Sequence, residues 1–180
     1  MKKIFKIINN CFITFVIIVL FFNLIVSFFG KEDTFKISRY SFLDVNGDSM
    51  YPRIKNGDFI AIDTKKKDKY DVNDVISYKK KTIDGTILVT HKIKEVIENE
   101  NGYKYVTEGI NNPKEDEGMV SNNEIIGEYK NFRIPLLGHL VKFSRTKIGY
   151  LVLVILPLGA MLLWASYELI EEISKKKGEK

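Results

Sequence analysis

Cysteine occurs once in the 180 residues, at Cys11. One thiol per chain excludes an intramolecular disulfide and any cysteine-based zinc site. No metal or other cofactor is expected. Charge of a single sign is also lacking, since 28 Lys plus Arg stand against 23 Asp plus Glu, a net charge of +5. Residues 30–147 hold 21 basic and 19 acidic side chains. A nucleic-acid binder of this size would carry a larger one-signed excess, so nucleic acid is not expected as a partner. No internal repeat is visible, and the length suits one folded domain. What the chain has instead is two long apolar runs, one near each end, with most of its charge between them.

The first run, Cys11 to Phe29, has Asn23 as its one strong polar interruption and is long enough to cross a hydrocarbon core of roughly 30 Å. A cleaved signal peptide is the competing reading, because Lys2, Lys3 and Lys6 form a positive leader. The run outlasts the usual apolar core of such a peptide, and Val26-Ser27-Phe28-Phe29 offers no small-x-small cleavage site, so a retained anchor is expected. A second uncharged run, Ile148 to Ala165, contains Pro157, which spanning helices tolerate. Tyr150, Trp164 and Tyr167 lie where interfacial aromatics belong. Lys2, Lys3 and Lys6 before the first span, and Lys175, Lys176, Lys177 and Lys180 after the second, place both termini in the cytoplasm. The expected organisation is a cytoplasmic N-terminus (1–10), a transmembrane helix (11–29), an extracytoplasmic domain (30–147), a second transmembrane helix (148–167) and a basic cytoplasmic tail (168–180). At 118 residues, the middle segment can bury a core of its own.

That middle segment reads as strands punctuated by turns, which makes the fold class mainly β: an antiparallel β-rich domain flanked by two transmembrane α-helices. Asp84-Gly85 separates Val75–Lys80 from Thr86–Glu98, and Asn101-Gly102 separates the latter from Tyr103–Glu108. Both dipeptides favour tight hairpins, which predicts an antiparallel meander. Phe59 to Ile62 is a further short strand. Within Thr86–Glu98 the two-residue period puts Ile87, Val89, His91, Ile93, Glu95 and Ile97 on one face and turns Lys92 to the other. Lys65–Lys69 and Lys79–Lys81 read as solvated charge runs.

Gly47-Asp48-Ser49-Met50-Tyr51-Pro52 alone would be an ordinary turn. Its company changes the reading. His91 lies on the apolar face of its strand, and an acid-rich segment, Thr107 to Asp116, follows the next hairpin. A serine, a histidine and a carboxylate are the parts of an acyl-transfer site: a nucleophile, a base for its proton, and a group that holds the base's tautomer. The plain alternatives are a turn serine, a packed core histidine and a solvated acidic loop. Lys92 adjoins His91, but strand alternation turns it away. Met50 is expected in the core and His139 at the membrane interface. Cys11 lies outside the middle domain, where a thiol nucleophile would have to be.

Ser49-Met50-Tyr51-Pro52, shortly after an N-terminal anchor, resembles the Ser-Met-x-Pro box of signal peptidase I. Gly57-Asp58 and Asn73-Asp74-Val75-Ile76 are similar to its following Gly-Asp segments, with Asn73 where glycine is common. Val89-Thr90-His91-Lys92-Ile93 carries histidine where bacterial-type members have lysine, so the resemblance is to the endoplasmic-reticulum and archaeal subtype, known also in Gram-positive bacteria. Ile134-Pro135-Leu136-Leu137-Gly138 before the second span also fits that subtype. The resemblance covers nearly the whole chain. Its one mechanistic departure is Ile110, which replaces the first acid of the usual Gly-Asp-Asn-Asn. The later acid that matches best is Asp116, with Glu115 in reserve.

The resemblance implies a membrane-bound serine endopeptidase in which Ser49 attacks, His91 is the base and Asp116 holds the ring, with the Ser49 backbone N–H in the oxyanion hole. An unperturbed imidazole titrates near pH about 6.5, so cleavage would fade as pH falls through that region. The implied partners are the signal peptides of exported precursor proteins, with small residues at the cleaved position and two before it, and the lipid bilayer; an association with the secretion machinery is compatible with both. The competing reading is a non-catalytic two-span membrane protein, an inactive relative whose β-domain binds a partner.

Overall fold

Short runs of apolar and polar side chains, separated by turn glycines, fold the middle of the chain into one antiparallel sheet of eight strands. They are β1 (Thr34–Ile37), β2 (Tyr40–Asp44), β3 (Phe59–Asp63), β4 (Val75–Thr82), β5 (Gly85–Asn99), β6 (Gly102–Glu108), β7 (Val120–Ser121) and β8 (Ile125–Ile134). The computed structural model describes residues 2–28, 34–83, 85–100, 102–112 and 114–178. Asp84 and Asn101 of the two expected hairpin turns, and Phe29, Gly30 and Lys180, lie outside the described residues. Their neighbours Gly85 and Gly102 adopt φ of +130° and +107°, the region open to glycine.

The strand order is β1-β2-β3-β8-β4-β5-β6-β7. The expected three-stranded meander is β4-β5-β6, with the short β7 added at its edge, and β8 lies between β3 and β4 and pairs with both. The residues that fill the gap come from the far end of the domain: Ile62 opposes Tyr129, and Ser77 opposes Gly127. A glycine is needed there, because a Cβ at Gly127 would meet the Asp63 carbonyl oxygen at 2.6 Å. The single sheet therefore carries two apolar clusters. One contains Leu43, Met50, Ile54, Ile60, Ile62, Val75 and Tyr129, and the other Tyr70, Ile76, Tyr78, Ile93, Tyr105, Val120 and Ile125.

Alternation along β5 runs as expected to Ile93 and then shifts. Ile93 opposes Thr107 but Glu95 opposes Val106, so Lys94 is an extra residue on one strand. The bulge corrects the expected face, since Val96, not Glu95, packs with the second cluster. Ahead of the bulge His91 opposes Ile76 and stays on the buried face.

The terminal segments, Met1–Phe28 and Val141–Lys180, form a second compact unit. Helix α1 is Lys2–Phe28, and a short helix α2, Leu137–Ser144, precedes α3 (Lys147–Tyr150), a π-helical turn (Leu151–Ile155) and α4 (Leu156–Gly178). Helix α2 was not expected from periodicity, and the second long helix continues through the segment read as a tail. Two stretches, Ile7–Ser27 and Lys147–Lys177, are long and apolar enough to cross a membrane. Val16 and Asn23, one heptad apart on α1, are buried, as is Val154 of the π-helical turn. Asn23 satisfies its amide locally by donating to the Val19 carbonyl at 2.9 Å.

Candidate active site

Ser49 stands in the connection from β2 to β3, and its neighbours explain its fixed position. Gly47, at φ +110°, lets the chain turn away from β2. The Tyr51 N–H donates to the Asp48 carbonyl at 3.0 Å and the Ile54 N–H to the Met50 carbonyl at 3.0 Å, winding one tight turn. Met50 and Ile54, four residues apart, point together into the first apolar cluster. With those two anchored, Ser49 is left at the surface of the cluster, half-buried.

Asp58 locks the far end of the same loop. Its carboxylate accepts from the Lys55 N–H at 2.9 Å and from Arg133 of β8 at 2.7 Å. The Gly57 N–H donates to the Val45 carbonyl, and the Gly57 carbonyl accepts from Gly138. Gly57 has φ +81°, and a Cβ there would overlap the His139 ring. His139 therefore packs against this loop at Gly57.

His91 comes from β5 and Asp116 from the loop after β6. Ser49 Oγ lies 3.0 Å from His91 Nε2, and His91 Nδ1 lies 2.5 Å from Asp116 Oδ2. Residues 42 and 25 apart in sequence are thus joined in one chain of hydrogen bonds. An ionised carboxylate only accepts, so the shared proton sits on Nδ1 and leaves Nε2 as acceptor for the serine hydroxyl. Burial opposes ionisation of Asp116, but hydrogen bonds from His91 and Thr107, attraction to His91 and a hydrogen bond from Tyr78 outweigh it. Together they hold the carboxyl below its usual range.

The loop carrying the acid is tied to the loop carrying the serine. The Asn111 N–H donates to the Ser49 carbonyl at 2.8 Å, and the Asp116 N–H to the Thr107 carbonyl at 2.8 Å. At Gly109 a Cβ would meet the Ser49 carbonyl oxygen at 2.7 Å, so the close approach requires glycine. Of the other candidates, Glu115 turns to solvent and pairs with Lys94 at 2.7 Å, and Ile110 is exposed. Lys92 lies on the opposite face of β5 from His91, its Nζ 2.9 Å from Glu108.

Two residues that periodicity and motif left aside also reach the acid. Thr107 Oγ1 donates to Asp116 Oδ2 at 2.7 Å, and Tyr78 Oη at 3.1 Å. Both are ordinary strand formers in sequence. Only the register, with Ile93 opposite Thr107 and Val89 opposite Tyr78, puts their hydroxyls on the face of His91.

Ser49 and His91 open into a cleft of 460 Å³. One wall is Leu43 to Gly47, the other Thr86 to His91, and Met50 and Ile54 line it as well. Among the described residues the stretch Thr86 to His91 pairs with β4 alone, because β6 pairing begins at Lys92. One edge of β5 therefore runs unpaired along the cleft to the histidine.

A hydroxyl, an imidazole and a carboxylate in this order form an arrangement able to raise the nucleophilicity of the serine oxygen. Among the described residues no group of three or more His, Cys, Asp or Glu side chains is placed to hold a metal ion. Among curated proteins none matches the chain. A model of the peptidase S24-like family matches residues 28–129, a stretch that contains Ser49, His91 and Asp116. With more than half of its length matched and a serine peptidase-type fold, the chain belongs to the peptidase S24-like family.

Proposed function

We propose that the protein is a membrane-bound serine endopeptidase of the signal peptidase I type, cleaving signal peptides from exported precursors through an acyl-enzyme. The observation that carries this reading is the hydrogen-bonded series Ser49 Oγ, His91 Nε2, His91 Nδ1 and Asp116 Oδ2, at 3.0 and 2.5 Å. His91 takes the Ser49 hydroxyl proton as the oxygen adds to the scissile carbonyl, and Asp116 favours the imidazolium that forms. The Ser49 backbone N–H is one donor to the oxyanion. Collapse of the tetrahedral species breaks the C–N bond, and His91 returns the proton to the leaving amine. Water then hydrolyses the Ser49 ester by the same route.

The cleft and the helices support this substrate class. An extended peptide can add as a strand to the unpaired edge of β5, with backbone hydrogen bonds giving affinity and alternate side chains entering the cleft. A precursor presents such an extended segment after its apolar run. The two apolar helices supply the membrane anchor, and the lysines at both chain ends favour termini in the cytoplasm with the β-domain outside. The domain boundaries of this reading are those expected from sequence, with the outer domain at 30–147.

The test is processing of a precursor by the full-length protein in membranes, with Ser49→Ala and His91→Ala beside wild type. Loss of cleavage in both, with insertion unchanged, is the expected result. Normal processing by either variant, or none by wild type, overturns the reading in favour of a non-catalytic binding protein.

A further inference from the structure

We propose that Thr107 and Tyr78 are positioning residues of this site, a pair of buried hydroxyls that hold the Asp116 carboxylate at the angle His91 requires. The inference rests on the serine peptidase reading and extends it to two side chains outside the Ser-His-Asp series. Thr107 is 0% exposed and Tyr78 is 3% exposed, so neither hydroxyl is there to meet water. Both lie on the face that carries His91, Thr107 next to last on β6 and Tyr78 midway along β4. Their oxygens are 3.0 Å apart, and both lie within hydrogen-bond distance of the oxygen that faces His91, Asp116 Oδ2.

Position explains why such help is needed. Asp116 stands in a loop, not on a strand, so its side chain has no regular neighbours to fix its torsions. Thr107 grips it twice, by its carbonyl to the Asp116 N–H and by its hydroxyl to the carboxylate. Tyr78 closes the set from β4, on the other side of β5. A buried hydroxyl deprived of its acceptor is costly, which favours the one carboxylate rotamer that satisfies both. Through Asp116 the pair fixes the plane of the imidazole and the proton on Nδ1. Neither hydroxyl needs to touch substrate.

Thr107→Val deletes the hydroxyl while keeping the side-chain shape and the backbone bond, Thr107→Ser restores the hydroxyl, and Tyr78→Phe removes one oxygen. The three variants, wild type and Ser49→Ala are compared as full-length proteins in detergent. The probe is a synthetic precursor peptide with an apolar run followed by an Ala-x-Ala segment. Circular dichroism reports folding, and proton NMR follows the His91 Nδ1–H resonance. The expected result is a kcat about 10- to 100-fold lower in Thr107→Val, with KM within about twofold of wild type. Tyr78→Phe falls less, Thr107→Ser recovers most of the rate, and the Nδ1–H resonance shifts in Thr107→Val. Wild-type kcat in both Thr107→Val and Tyr78→Phe, or a Thr107→Ser rate as low as that of Thr107→Val, overturns the positioning role while leaving the peptidase reading intact. Equal cleavage by Ser49→Ala and wild type, or none by either, overturns the peptidase reading, and the positioning role falls with it. Should Thr107→Val fail to fold, Tyr78→Phe decides: an unchanged kcat and resonance overturn the proposal.

Discussion

At the scale of single residues, the site turns on which of two adjacent acids faces inward. Glu115 and Asp116 are neighbours in sequence, yet Glu115 reaches Lys94 and Asp116 reaches His91. Asp116→Asn keeps the shape but substitutes a neutral amide, which neither fixes the proton on Nδ1 nor stabilises an imidazolium. Cleavage should fall by about 10³-fold or more, as expected when the orienting carboxylate of a triad is neutralised. Glu115→Ala removes one half-exposed ion pair and should stay within about threefold of wild type, since such pairs contribute little. The two rates, measured on one precursor peptide, check the assignment; the opposite ranking would transfer the role to Glu115. Ser49, His91 and Asp116 were legible in the sequence because motif order and a two-residue period point to them. Thr107 and Tyr78 were not, because a hydroxyl on a strand is mute until the strand opposite it is known.

At the scale of elements, two loops and one strand meet, and glycines set how closely. The Gly109 turn lies against the backbone of Ser49, where the Asn111 N–H donates to the Ser49 carbonyl. A methyl group at Gly109 would stand 2.7 Å from that carbonyl oxygen and 2.6 Å from Asn112 Nδ2. The Asn112 side chain can swing aside, but the carbonyl is fixed by the turn that buries Met50 and Ile54. Gly109→Ala should therefore push the two loops apart. The expected cost is about 1–3 kcal/mol in urea unfolding, with a fall in kcat larger than that of a distant variant of equal stability. Gly118→Ala at the exposed loop is the comparison, since its Cβ meets nothing within 4 Å and only its φ of +84° is strained. The hairpin glycines of β4–β5 and β5–β6 announced their strands in sequence. The bulge at Lys94 did not, because an inserted residue leaves composition unchanged and appears only as a break in register.

At the scale of the whole molecule, a strand from the end of the domain completes the sheet between β3 and β4, which a reading of successive hairpins could not foresee. Pairings between near neighbours in sequence leave local turn signals; the pairing of Ile62 with Tyr129 leaves none. The two apolar runs, by contrast, are legible from length alone, and the lysines beyond them carry the proposed orientation. Three lysines, Lys175 to Lys177, close α4, two of them paired with Glu171 and Glu172 one turn earlier. Acidic side chains count little in setting topology, so the pairing does not cancel the bias that favours this end inside in the proposed orientation. In a Cys11→Ser background, Glu100→Cys in the exposed turn after β5 and Lys177→Cys near the end of α4 each provide a single thiol. A membrane-impermeant maleimide applied to intact cells should label Glu100→Cys and leave Lys177→Cys unmodified until the membrane is permeabilised. Labelling of both before permeabilisation would mean that α4 ends outside. Labelling of Lys177→Cys alone would put Ser49 and His91 on the cytoplasmic side, where no exported precursor could present its cleavage segment after crossing.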